Sequence, residues 1–302
     1  MKELTVIRVN SWFRGFFAEL NLLMCYMHAN PEAVTYADWR DRFYYADDTF
    51  NNWFKYFKEI PLPYEKDKMG SMRLRIVNVT KNFAYPTFTT SGSHSLFVDP
   101  ECPERVSGNV LPDNWRKEFG DIYRKNIKIK DGIKKRINKF YTSHMRGSKV
   151  VGAHVRNFSG YSEKSDLGPT PDLEEYFAVI DSLDYDKVFL ATDNQQILNR
   201  FSEAYGDDLI FQEKAFRSKT NPNSKGSEIH KQYGFYPRTK KKTKNKIMKF
   251  MGHDVLSDAI LLSKCSDMVH GQSNVPTAVG YINPELEMHY LGCPQLRKDY
   301  DL

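Results

Sequence analysis

Lys149-Val-Val-Gly-Ala-His-Val-Arg-Asn157 runs a short apolar segment into three groups able to hold something polar: His154, Arg156 and Asn157. Val150, Val151 and Val155 carry the β-branched bias of a strand, so the pattern predicts a central strand with a binding loop at its end. The design recurs. Lys187-Val-Phe-Leu-Ala-Thr-Asp193 is a second apolar run that ends in Thr192, Asp193 and Asn194, before a helical pattern from Gln195 to Tyr205. A third copy follows Ala259-Ile-Leu-Leu-Ser263, where Asp267-Met-Val-His270 leads into Gly271-Gln-Ser-Asn274. Three strands, each with polar residues at its C-terminal end and each separated by helix-like sequence, predict a parallel α/β sheet with a ligand crevice along one edge.

At 302 residues and 40% hydrophobic, the chain can bury one large core or two smaller ones, and the α/β pattern favours two. The long helical connector ahead of Val150 is the expected boundary, giving domains 1–145 and 146–302. Lys+Arg 44 against Asp+Glu 38 leaves +6, a surplus that favours anionic partners. Part of it is local. Residues 238–246, RTKKKTKNK, carry no acid and read either as a solvated basic loop or as a patch facing phosphate or a peripheral membrane surface. No RNA-binding or helix-turn-helix signature accompanies them, so nucleic acid is not an expected partner. Cys25, Cys102, Cys265 and Cys293 show no C-x-x-C spacing and are expected to be reduced and unpaired. The opening MKELTVIRV goes straight into a strand pattern, and no run of about eighteen apolar residues occurs. The expectation is a cytoplasmic protein without signal peptide or transmembrane segment.

In chain order, Leu4–Val9 reads as a strand, Asn10–Gly15 breaks it, and Phe17–Met27 has the spacing of a buried helix. A strand, a loop with Gly15 and a helix start can offer backbone N–H groups to an anion, although a plain β-α turn fits the same residues. Ala33–Trp39 is the next predicted strand. Tyr44, Tyr45, Phe50, Trp53, Phe54, Tyr56 and Phe57 read as core or, beside a cleft, as a stacking surface for sugar rings. Residues 63–110 are turn-rich and yield no predicted element. One helical run is expected from Pro112 to about Met145, its cations from Arg116 to Lys139 forming a solvated face. Thr170 is the predicted cap of a helix that begins with Pro171 and ends near Ser182. Leu209–Phe211 reads as a strand, and His253–Ser263 as a helix packed on the sheet with Asp258 near its polar flank.

These strand ends suggest a chemistry. Arg156 offers a bidentate fork for phosphate, Ser273 and Asn274 offer hydroxyl and amide donors, and His154 and Asp258 can bond a base edge. Together they suit a nucleoside diphosphate. Singly, His154 also reads as a satisfied core residue and Asp258 as a surface carboxylate.

Gly-Ala-His-Val-Arg at 152–156, Phe-Leu-Ala-Thr-Asp at 189–193 and Asp-Ala-Ile-Leu-Leu-Ser-Lys-Cys-Ser-Asp-Met-Val-x-Gly-Gln-Ser-Asn-Val at 258–275 stand in an order that resembles the α1,6-fucosyltransferases, nodulation fucosyltransferases and protein O-fucosyltransferases. Asp38-Trp39 and Asn-Asn-Trp-Phe-Lys-Tyr-Phe at 51–57 are similar too. The resemblance implies an α/β, GT-B-like fold, two Rossmann-like domains facing across a cleft. The first would take the acceptor and the second the nucleotide sugar. It also implies an inverting, metal-independent glycosyltransferase that moves L-fucose from GDP-fucose to a glycan hydroxyl, with no cofactor and an oligosaccharide or glycoconjugate acceptor.

By the same resemblance, Arg156 would hold the β-phosphate, and His154 and Asp258 would contact guanine. Ser273 with Asn274 would add to the phosphate site, and the Gly15 loop would meet the pyrophosphate from the other domain. Asp193 would bind nucleotide or shape the crevice. Inversion needs a base on the acceptor hydroxyl. Glu163, seven residues after Arg156, is the preferred candidate and Asp166 the second, with a plain loop role for Glu163 left open.

Two departures stand out: Asn157 where many relatives carry a second arginine, and a single glycine in the N-terminal loop. Together with the lack of a stem or anchor they point to a microbial or viral type of enzyme. Two alternatives are a non-catalytic anion-binding α/β protein that uses 238–246, and a GT-B transferase for another nucleotide sugar.

Overall fold

All six residues of Val150–Val155 are buried, as a strand covered by helices on both faces must be, and this is why its sequence is a near-continuous apolar run. The computed structural model describes residues 3–10, 16–39, 53–60, 73–79, 113–156, 172–218, 241–271 and 273–291. The elements of the first half are β1 (Glu3–Asn10), α1 (Phe16–Ala29), β2 (Val34–Asp38), α2 (Trp53–Tyr56), β3 (Arg73–Val79), α3 (Asp113–Asn126) and α4 (Asp131–His144). The second half holds β4 (Val150–Val155), α5 (Leu173–Asp181), β5 (Lys187–Thr192), α6 (Gln195–Tyr205), β6 (Leu209–Phe211), α7 (Lys241–Leu262), β7 (Asp267–His270), α8 (Asn274–Ile282) and β8 (Glu287–Tyr290).

The described residues form two parallel sheets, β2-β1-β3 and β6-β5-β4-β7-β8. In the larger one the chain steps outward from β4 to β5 and β6, then returns to the other side for β7 and β8. The strand order therefore reverses between β4 and β7, where open α/β sheets leave a crevice. The larger sheet has two apolar faces. Val151, Ala153 and Val155 meet Tyr176, Ile180, Ile197, Leu198 and Phe201 on one. Val150, Phe189 and Met268 meet Leu256, Leu262, Val275 and Val279 on the other. Gly152 is there because α7 comes close: a Cβ at that position would lie 2.9 Å from Leu262 Cδ2 and 3.1 Å from Cys265 Sγ.

The second of these cores continues into the first half through Phe16, Leu20 and Met24 of α1, Phe119 of α3, and Trp39, Trp53, Tyr56 and Phe57. The rings interlock edge to face, with Phe16 and Tyr56 centroids 4.9 Å apart and Trp39 and Trp53 5.1 Å apart. Trp53, Tyr56 and Phe57 are thus core and not a sugar platform, whereas Tyr44, Tyr45 and Phe50 lie outside the described residues. Cys25 and Cys265 are free and buried. Among the described residues no helix is long and apolar enough to cross a membrane.

Several expectations need correction. The helical run from 112 to 145 is two helices, because residues 127–130 leave the helix to pair with the end of α2. Lys58 N–H donates to Lys128 O at 2.7 Å, Lys130 N–H donates to Tyr56 O at 2.9 Å, and Phe57 bridges Ile129. Arg116 is not on a solvated face. It is buried and donates to Gly280 O (3.4 Å), Asn283 O (3.4 Å) and Leu286 O (2.5 Å), where carbonyls at and beyond the end of α8 favour a cation. Asp172, not Thr170, caps α5, its carboxylate accepting from Glu175 N–H at 3.1 Å. Two strands were not foreseen. β3 lies inside the turn-rich stretch, and β8, Glu-Met-His-Tyr, is an edge strand too polar to show an apolar run.

Candidate functional site

β4, β5 and β7 are adjacent, so the three polar strand ends read from sequence meet at one edge of the sheet. His154 and His270 are register partners across the point where the strand order reverses. The His154 ring is buried and its Nδ1 finds no hydrogen-bond partner among the described residues. Burial first, then the Arg156 guanidinium and His270, push its pKa down to about 3, so it is neutral. His270 is fully buried as well. Its Nδ1–H donates to Gly271 O at 3.0 Å, which leaves Nε2 as an acceptor, again without a partner among the described residues. Burial lowers its pKa to about 4. Arg156 follows directly on β4 and is partly exposed. The strand end is tied to α5 by the Tyr176 hydroxyl, which donates to His154 O at 3.3 Å.

On the β7 side, Ser273 caps α8, its hydroxyl oxygen accepting from Val275 N–H at 3.4 Å, so the hydroxyl proton remains to be donated elsewhere. Asn274 is the first residue of that helix. On the β5 side, Asn194 caps α6 by accepting from Gln196 and Ile197 N–H at 2.8 and 3.2 Å. The preceding residue, Asp193, is held by its main chain: its carbonyl accepts from Ser218 N–H at 2.8 Å, and Gln195 N–H donates to Ser218 O at 2.8 Å. Residues 212–218 are thereby stitched to the end of β5.

That stitching builds the surroundings of Asp258. Asp258 stands, as expected, on the flank of the helix packed on the sheet: it is half-buried and accepts from Gln212 Nε2 at 2.5 Å. Gln212 also donates to Asp254 O at 3.4 Å, and Asp254 Oδ2 accepts from Phe216 N–H at 3.2 Å. Arg217 donates to Gln212 O at 2.7 Å and lies 5.4 Å over the Phe211 ring. Burial raises the Asp258 pKa to about 7, aided by the charges of Asp254 and Asp193 and opposed by Gln212 and Arg217. Asp254 is raised by burial to about 6. The result is a cluster of two partly buried carboxylates, Asp254 and Asp258, held by Gln212 and the main chain of residues 212–218.

His154, Arg156, Asp193, Asp258, Ser273 and Asn274 therefore stand on the ends of adjacent strands and on the two helices that flank β7. Gly15, Glu163 and Asp166 lie outside the described residues, as does Asn157. Sequence reasoning missed Gln212, Asp254, Arg217 and His270. Asp254 was findable, since it stands four residues before Asp258 on the same helix and so shares its face. Gln212 and Arg217 gave no signal beyond a polar loop.

Solved structures share this architecture. Fucosyltransferase NodZ from Bradyrhizobium aligns over 92% of this chain and 92% of its own, at 18% identity and a TM-score of 0.50. A mutant of Arabidopsis thaliana FUT1, determined in complex with GDP, aligns over 96% of this chain and 71% of its own, at 11% identity and a TM-score of 0.50. The chain has the fold of the GT-B fucosyltransferases. No protein-family model matches the sequence, and no curated protein does.

Proposed function

We propose that this chain is an inverting, metal-independent glycosyltransferase that transfers L-fucose from GDP-fucose to a hydroxyl of a glycan. The observation that carries the reading is the convergence of His154, Arg156, Ser273 and Asn274 at the strand-order reversal, with Asp258 on the adjoining helix. Arg156 holds the β-phosphate with a bidentate fork and stabilises the departing diphosphate, helped by the Ser273 hydroxyl and the first turn of α8. His154 and Asp258 contact guanine, and Asp193 shapes that pocket with the loop 212–218. Residues 146–302 bind the nucleotide sugar, and 1–145 receive the acceptor and bring Gly15 to the pyrophosphate.

Glu163 takes the proton from the acceptor hydroxyl as the anomeric carbon is attacked, and Asp166 is its substitute in that role. Glu163→Gln is expected to bind GDP normally and to lose about 10²-fold in kcat, measured with GDP-fucose and a glycan acceptor. Full transfer by both Glu163→Gln and Asp166→Asn would show that neither residue is the base.

The direct test is a thermal-shift panel of GDP-fucose, GDP-mannose, GDP and UDP-sugars, with EDTA throughout. A ligand present at 100 times its Kd stabilises by about 2.7 kcal/mol, well within detection. Stabilisation by GDP and GDP-fucose is expected. Equal stabilisation by UDP, or a requirement for Mn²⁺, would overturn the reading.

A further inference from the structure

We propose that Asn21, on α1 in the first half of the chain, is a positioning residue for the donor diphosphate, because it fixes which end of the Asn274 carboxamide faces the crevice. The inference rests on the nucleotide-sugar reading above. Asn21 is fully buried, and its side-chain partners belong to α8. Its Nδ2 donates to the main-chain carbonyl of Asn274 at 3.1 Å. A main-chain carbonyl only accepts, so the atom of Asn21 that faces it must be nitrogen, and the orientation of the amide is settled. The Asn21 oxygen is then turned to Tyr281, whose buried hydroxyl donates to it at 2.9 Å.

The same Nδ2 reaches the Asn274 side chain at 3.3 Å, and only that side chain's oxygen can accept there. Asn274 Oδ1 is therefore spent on α1. Its Nδ2, with two N–H groups, is left over, and no group among the described residues takes it. Asn274 opens α8 beside the Ser273 cap, where the unbonded N–H groups of the first turn already favour an anion. With the amide the other way round, its oxygen would face the phosphate and repel it. Tyr281, Asn21 and Asn274 thus form a relay in which each member dictates the orientation of the next, ending in a donor poised for a diphosphate oxygen.

Asn21→Leu removes the relay at constant volume. It is expected to weaken GDP about tenfold, the worth of one hydrogen bond to a charged group, while guanosine, which has no phosphate, binds as before. On an Asn274→Ala background the Asn21→Leu change should cost nothing further. Calorimetric titration of the four proteins with GDP and guanosine gives both comparisons. Equal losses for the two ligands, or losses that multiply in the double variant, would show ordinary structural damage and overturn the assignment while leaving the nucleotide reading intact. Wild-type protein that fails to bind GDP overturns that reading first and this inference with it. If Asn21→Leu does not fold, Tyr281→Phe, which removes only the rear anchor, should still weaken GDP severalfold and spare guanosine. No loss in that variant sinks the relay.

Discussion

Burial is the main reason the Asp258 carboxyl keeps its proton up to about pH 7, and Asp254 and Asp193 push the same way. A carboxyl whose pKa is raised on folding works against the common pattern. Between about 4, where the unfolded chain releases the proton, and about 7, where the folded one does, stability falls as pH rises. Asp258→Asn should therefore be more stable than wild type above pH 7 in urea unfolding and no better near pH 4. Ligand binding has the opposite sign, because guanine offers N1–H and its exocyclic amine to an ionised acceptor. GDP affinity should weaken about tenfold per unit as pH drops below about 7, and Asp258→Asn should lose both the affinity and its pH dependence. A flat calorimetric profile in the wild type would mean that Asp258 does not meet the base. Arg156 is tested differently. Arg156→Lys keeps the charge but not the fork, and turnover should fall by roughly 10²-fold. Near-normal turnover would leave the β-phosphate without its assigned partner.

The elements that apolar rhythm could reveal were legible: β4, β5, β7, α1 and α6 fall where their patterns put them, because buried strands, the amphipathic α6 and the apolar run of the buried α1 are written into the chain. β3 and β8 were not, since one sits among turn residues and the other is polar. The break between α3 and α4 was hidden as well, because it answers to a backbone pairing with residues 56–58 that no local pattern records. In the site, the strand-end residues were readable and the Gln212–Asp254–Asp258 arrangement was not, as it depends on where a loop returns. Gly152 belongs to this scale, since it sets how closely α7 lies on β4. Gly152→Ala should destabilise by about 1–3 kcal/mol in denaturant unfolding, by forcing Leu262 and Cys265 outward. Combining it with Leu262→Ala should cost less than the sum of the two changes, as neighbours that relieve each other do. Strict additivity would show that the new methyl group is accommodated elsewhere.

Across the molecule, one apolar cluster runs from α1 and the aromatics at 53–57 through α3 into α7 and α8. Phe119 lies at its middle, fully buried, 4.9 Å from the His28 ring and 6.5 Å from the Tyr281 ring. A shared core couples the halves, so Phe119→Ala should cost about 3–5 kcal/mol and move the whole unfolding curve, with circular dichroism and tryptophan fluorescence still coincident. An early fluorescence transition, reporting the tryptophans of the first half alone, would show that the halves melt separately.

The two buried thiols turn this coupling into a clock. Cys25 lies on α1 and Cys265 just beyond α7, and burial pushes both thiols up, so neither reacts while its surroundings are closed. Each becomes alkylated only when its own region opens, and mass spectrometry of the two peptides times the events separately. If the core is shared as its packing indicates, both residues should be labelled at one rate, and a donor nucleotide held against α8 should slow both together.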